Sequence, residues 1–221
     1  MFIQPFDGAL SESEWRHWIE TGGKFGVLAV PHTEPSNAPV MVPTHFTLSG
    51  DEILMHLNRA NSALKLLESG NPVSLSVVGD YAYIHNQWRA KPGIPVEEGV
   101  PTSYYAAVNF ALKPTVISSD EGLLEILHAQ MQDMQPDGGY AALDTKAAPY
   151  GPLLSSIRGV RLQIIEVEAK FKYDDHKPVA HREHVIEQLD QRNAGLDAGA
   201  ADQQQRRLDL IGEWTEFRNS Q

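Results

Sequence analysis

The segment Met55-His56-Leu57-Asn58-Arg59-Ala60-Asn61-Ser62-Ala63-Leu64-Lys65 carries residue types that can bind an oxyanion. A strand-like run ends inside it and a helix-like run begins. A helix start offers free N–H groups and a positive dipole end. Arg59 can grip an oxyanion through two parallel hydrogen bonds, Asn58, Asn61 or Ser62 add neutral donors, and Lys65 reaches back from one turn further on. The same residues also have a plainer use, with Asn58 or Asn61 capping the helix and Arg59 in solvent.

A second stretch, Pro43-Thr44-His45-Phe46, lies on an extended segment. Alternating Thr44, Phe46 and Leu48 would offer a planar ring an apolar shelf with a polar edge, or would form an ordinary strand with one exposed histidine. A third runs from Tyr83 through Gln87, Trp88 and Arg89, and continues after a long loop at Val100–Tyr105. Aromatic residues framing a loop can stack on a ring system, fill a barrel or meet a second subunit. His181 and His184 stand three apart with Glu183 between them, unlike the His-Glu-x-x-His pattern of zinc proteases, and no metal site is expected. Serine hydrolase and Walker patterns are absent, Asp174-Asp175 and Asp51-Glu52 read as turn acids, and no residue is assigned a catalytic role. Gln203 to Arg207 reads as a solvated helix face.

The elements that must position these residues follow from composition and period. With 221 residues, 42% of them hydrophobic, the chain can bury a real core. It has no cysteine, which removes disulfides, thiolate metal sites and cysteine nucleophiles and suits a reducing compartment. Its net charge of -11 repels phosphate backbones on average. The first residues lack a basic stretch followed by an apolar run, and no apolar stretch approaches bilayer length. A soluble, cytoplasmic protein is expected.

Ser11-Glu12-Ser13-Glu14 is a capping box for a helix with Trp15, Trp18 and Ile19 on one face, ended by Gly22 and Gly23. Strands are expected at 25–30, 40–48 and 53–57, a helix at 60–68, and strands at 73–77 and 81–84 on either side of a Gly79-Asp80 turn. Residues 86–99 read as a long loop, 101–117 as extended chain with Pro114 at an edge or bulge, 120–134 as a helix, 135–152 as a loop and 160–173 as a strand. Helices near 179–191 and 201–217 close the chain. Hairpin-length connections without βαβ alternation call for an antiparallel sheet, closed or partly closed.

Four stretches in register resemble the PaiB-type FMN-binding negative transcriptional regulators. They are His56-Leu57-Asn58-Arg59-Ala60-Asn61; Tyr81-Ala82-Tyr83-Ile84 with Gln87-Trp88; Val100-Pro101-Thr102-Ser103-Tyr104-Tyr105; and Lys170-Phe171-Lys172 with Lys177-Pro178 and Arg182. Ser103 departs from the family's tryptophan. The resemblance implies an α+β fold, an antiparallel FMN-binding split β-barrel with flanking helices and a helical C-terminal extension. Residues 1–175 would form the flavin-binding domain, with residues 176–221 packed on it. It further implies a homodimer with FMN at the subunit interface. Arg59, Asn61 and Lys65, with Asn58 and His56 beside them, would form the phosphate end. Thr44, His45 and Phe46 would form the ring edge, and Tyr83, Gln87 and Trp88 would approach from the loop side. The function implied is a dimeric regulatory or sensing protein linked to transcriptional repression, with DNA or a regulatory protein as partner, although the acidic chain gives no support to direct DNA contact. A flavin-dependent oxidoreductase of the pyridoxamine-phosphate-oxidase-like or flavin-reductase-like kind, and a structural dimer with a decayed flavin site, are the alternatives.

Overall fold

The computed structural model describes residues 1–34, 37–91 and 93–210. Helix α1 (Glu12–Thr21) starts at the expected cap: Ser11 Oγ accepts the Glu14 N–H at 3.3 Å, and Glu14 Oε2 accepts the Leu10 N–H at 2.6 Å. Its Trp15, Trp18 and Ile19 are buried, as their spacing requires.

Strand β1 (Phe25–Val30) pairs antiparallel with β2 (Val40–His45), placing Phe25 opposite His45 and Ala29 opposite Met41. The expected strand 40–48 is broken at Phe46, and β3 (Thr47–Ser49) begins on its far side. Gly50, at φ +58, turns the chain into β4 (Glu52–Asn58), which pairs with β3. Strands β5 (Val73–Ile84), β6 (Thr102–Ile117) and β7 (Ile157–Lys172) complete a seven-stranded antiparallel sheet in the order β2-β1-β5-β6-β7-β4-β3. The outermost strands of that order, β2 and β3, are separated in the chain by Phe46 alone. Two residue steps span at most about 7 Å, so the sheet must curl until its first and last strands meet. Phe46, fully buried, is the seam, and its N–H donates to Lys24 O at 3.2 Å. Curling turns the apolar sides of the strands inward: Leu28, Val42, Ile53, Leu75, Leu112 and Leu162 are all buried.

Where a Gly79-Asp80 turn was expected, β5 continues unbroken. Asp80 takes φ 50 within it, in the left-handed region. Trp18 Nε1 donates to Asp80 Oδ2 at 2.7 Å, and Tyr173 OH donates to Asp80 O at 3.2 Å. A Cβ at Gly199 would lie 2.5 Å from Asp80 Oδ1, so the helix carrying it comes this close only as glycine.

The described residues form two compact units, residues 19–77 with 109–167, and residues 1–18 with 78–108 and 168–210. In the first of these, α4 (Asp120–Met134) packs on β3 and β4, and Leu123 and Leu127 form a core cluster with Leu154 of α5 (Gly151–Leu154). Asp133 ties the helix down, accepting from Lys24 Nζ at 2.5 Å and Thr47 Oγ1 at 3.0 Å.

In the other unit, the expected loop 86–99 contains a helical turn, α3 (Asn86–Arg89), and a 3-10 turn at Val96–Glu98. Helices α6 (Val179–Arg192) and α7 (Asp197–Asp209) pack together. The last helix starts four residues before the expected Ala201, because Arg192 grips Asp197 and orders the turn between them; its expected end at Phe217 lies outside the described residues. The stretch Gln203–Arg207 is not the solvated face expected. Gln204 and Arg207 are buried. Arg207 donates to Glu14 Oε1 at 2.7 Å, to Gly8 O at 3.1 Å and to Asp175, which also pairs with Arg182 at 2.8 Å. Asp174 and Asp175 lie in a turn as expected, with the Lys177 N–H donating to Asp174 O at 2.8 Å, and both are buried. Burial raises the Asp174 carboxyl, but His181 Nε2 at 3.6 Å and the Arg89 guanidinium at 2.8 Å outweigh it and hold the group at about 2. No described helix is long and apolar enough to cross a membrane.

Removing one member of a buried ion network strands its partners. Arg207→Ala leaves Glu14 and Asp175 without this guanidinium and is expected to cost about 3–5 kcal/mol, read as a lower urea midpoint; a loss below about 1 kcal/mol would show that the network contributes little net stability. Asp7 gives a pH signature. It is buried, Lys170 Nζ stands 3.8 Å away, and burial pushes its carboxyl up to about 6 against the opposing pull of Lys170. As pH rises from about 4 to 6 the unfolded chain releases this proton before the folded chain does, so Asp7 subtracts stability above pH 6 and nothing below pH 4. Asp7→Asn should therefore raise the melting temperature at pH 7.5 and leave it unchanged at pH 4. An equal effect at both pH values would show that the proton is not held.

Candidate functional site

The expected helix over 60–68 shrinks to the five residues of α2 (Ala63–Leu67). Asn58 Oδ1 accepts the Ala60 N–H at 2.9 Å and Asn58 O the Asn61 N–H at 2.8 Å. Asn61 Oδ1 accepts the Ala63 N–H at 3.0 Å and Asn61 O the Leu64 N–H at 3.1 Å. Consecutive side-chain turns thus consume the backbone donors expected to receive an anion, and so short a helix carries little dipole. Charge at this junction comes from side chains.

It comes in quantity. An open cleft of about 460 Å³ is lined by Arg59, Asn61, Leu64, Lys65 and Glu68 from the β4–α2 junction, by Ser118 after β6, and by Arg158 near the start of β7. Strand pairing explains the meeting. Leu57 lies opposite Arg158 and Asn58 opposite Ile157, while the Arg59 N–H donates to Ser156 O at 2.8 Å. Each guanidinium is tethered by one nitrogen: Arg59 Nη1 donates to Ser155 O at 3.2 Å, and Arg158 Nη1 to Ile157 O at 2.8 Å. Among the described residues, none of Arg59, Lys65 and Arg158 forms an ion pair, whereas Lys24 and Arg161 of the same unit are paired with Asp133 and with Glu52 and Glu125. Glu68 is the one carboxylate on the wall. Holding three unpaired cations together in a chain of net charge -11 makes a local positive field, and such a field attracts anions. On another side of Lys65 lies a second recess of about 420 Å³, bordered by His32, Thr33, Val40, Ser62 and Leu66.

Of the residues expected at a ring edge, Thr44 and Phe46 are buried and His45 is exposed. The His45 ring stands edge-on to His56, centroids 5.4 Å apart, and burial followed by the nearby His56 lowers its pKa. His56 Nδ1 is 2.8 Å from Oε1 of the buried Gln130. On the same sheet face as His45 lie Pro43 and Met41 of β2 and Phe25 of β1, all exposed, with Phe25 directly across from His45.

Tyr83, Gln87 and Trp88 belong to the other unit. Tyr83 and Gln87 are exposed. Trp88 stacks on His85 at 4.8 Å, and Arg192 sits 4.7 Å above its ring while donating to Tyr83 O at 2.9 Å.

The structure thus gathers Arg59, Asn61 and Lys65 on one cleft, sets His56 against His45, and uses Asn58 as a turn former. Sequence reasoning missed Ser118 and Arg158. Neither carries a local signal, since an arginine in an alternating strand reads as any outward-facing residue until the pairing of β4 with β7 is known.

Many solved structures share this architecture, two of them as follows. The FAD and heme binding protein from Mycobacterium smegmatis is 18% identical over 75% of this chain and 73% of its own, with a TM-score of 0.58. The flavocytochrome from Azotobacter vinelandii is 16% identical over 75% of this chain and 69% of its own, also at 0.58. At such identities the likeness concerns the fold, a flavoprotein split barrel. No curated protein gives a significant sequence match. The family model described as "Putative FMN-binding domain" matches residues 1–166, most of the chain. With that match over most of its length, on an antiparallel sheet closed at Phe46, the chain belongs to this FMN-binding family.

Proposed function

We propose that the cleft holds the phosphate of FMN, and that the protein is a dimeric regulatory or sensing protein of the PaiB type, linked to transcriptional repression. The observation that carries the phosphate assignment is the convergence of Arg59, Lys65 and Arg158 without ion-pair partners among the described residues. Bound FMN supplies reversible redox chemistry. The chain's own residues supply the grip: Arg59 a guanidinium fork, Lys65 a mobile ammonium and Asn61 its side-chain amide N–H. His45, exposed beside the half-buried His56, is the polar group offered at the ring edge.

The dimer reading rests on the outward face of β1 and β2. Phe25 is 63% exposed and Met41 56%, flanking Pro43 and His45 on a sheet face. A second copy laid on that face would bury these side chains and cover His45, consistent with a flavin at a subunit boundary. The regulatory role follows from the family resemblance; the net charge of -11 favours a protein partner over direct DNA contact.

Arg59→Ala removes a charge-assisted grip and is expected to weaken FMN binding about 10- to 100-fold, measured by quenching of flavin fluorescence on titration. Unchanged affinity would place the phosphate elsewhere, and bleaching of bound flavin by NADH with turnover in air would move the reading to an oxidoreductase. Phe25→Asp is expected to convert a dimer to a monomer in sedimentation with an unchanged far-UV spectrum. A wild-type protein that sediments as a monomer at micromolar concentration would sink the dimer.

A further inference from the structure

We infer that Arg158 is a specificity-determining residue of the cleft, acting with Arg59 to select flavins ending in a phosphate monoester dianion over uncharged flavins. The inference rests on the reading of the cleft as a phosphate site, and adds a second residue that reads the charge.

Arg59, Asn61 and Lys65 all arise from one continuous stretch of chain, the end of β4 and the start of α2. Donors from a single stretch approach an anion from one side. Arg158 comes from β7, on a separate segment 99 residues beyond Arg59 in sequence. Paired across from Leu57, it supplies the second wall. Its backbone is held by the pairing of β7 with β4. The next residue, Gly159, packs against α4 and the end of β6, where a Cβ would stand 2.6 Å from Ile126 Cδ1 and 3.3 Å from Ile117 Cβ. Its own Nη1 is tied to Ile157 O at 2.8 Å, and the side chain is half-buried. A tethered planar guanidinium loses little freedom on binding, unlike the exposed Lys65 ammonium on its flexible stem.

Charge balance points the same way. With Arg158, the wall holds three cations against Glu68, leaving two positive charges; without it, one. A phosphate monoester carries close to two negative charges at neutral pH, and the ribityl alcohol of riboflavin carries none. Ser118, just after β6, adds a neutral hydroxyl on the cleft wall.

The test compares FMN and riboflavin on wild type, Arg158→Gln and Arg59→Ala by fluorescence titration. Wild type should prefer FMN. In Arg158→Gln, FMN affinity should fall about 10- to 100-fold while riboflavin affinity stays within twofold, and Arg158→Lys, which restores charge without the fork, should recover part of the loss. Inorganic phosphate should compete with FMN on wild type and hardly at all on Arg158→Gln. If the glutamine variant does not fold, the lysine variant carries the test through a several-fold loss confined to FMN. Loss of FMN preference in Arg59→Ala but not in Arg158→Gln would overturn this assignment and leave the phosphate cleft standing. A wild-type protein that binds both flavins equally would overturn the two together.

Discussion

One buried phenylalanine governs the geometry of this protein. β2 and β3 lie at opposite ends of the strand order, and Phe46 is all the chain between them. Covalent reach is not negotiable: two residue steps cannot bridge an open seven-stranded sheet, so the sheet closes. Closure also sets the neighbours of β4, with β3 on one side and β7 on the other. That second pairing brings Arg59 and Arg158 to one end of two adjacent strands. The cationic cleft is a consequence of the seam.

The treatment of charge elsewhere in the chain gives the cleft its meaning. Arg182 and Arg207 are buried and bound to carboxylates, and Arg89 is held by Asp174 and the Val100 carbonyl. Desolvating a guanidinium without such partners costs several kcal/mol, and these arginines are paired accordingly. Arg59, Lys65 and Arg158 are treated differently. They remain at the surface without ion-pair partners among the described residues, Arg59 and Arg158 with hydrogen bonds to carbonyls. In a strongly acidic chain carboxylates are plentiful, yet Glu68 is the one on this wall, so their scarcity here is a property of the site and not of supply.

Local rules carried far along the sequence. The capping box at Ser11, the strand at 25–30, the helix at 120–134 and the inward faces of both helices were legible because hydrogen-bonding side chains and apolar period act over a few residues. So was the clustering of Arg59, Asn61 and Lys65 at one junction, together with the resemblance to an FMN-binding family. Local reasoning misjudged places where a distant residue decides. Asp80 reads as a turn, yet Trp18 and Tyr173 hold it inside a continuous strand. Gln203–Arg207 reads as solvent-facing, yet Glu14, some 190 residues earlier, meets Arg207 there.

Sequence by itself determined which segments are extended, which are helical, and that the β4–α2 junction is rich in donors for an anion, because propensity, capping and period are properties of neighbouring residues. Tertiary structure alone decided that Phe46 is a buried seam, that the asparagines consume the backbone donors, and that Arg158 lines the same cleft as Arg59. Those outcomes depend on which strands pair, and strand pairing is set by chain closure and burial over distances no local pattern records.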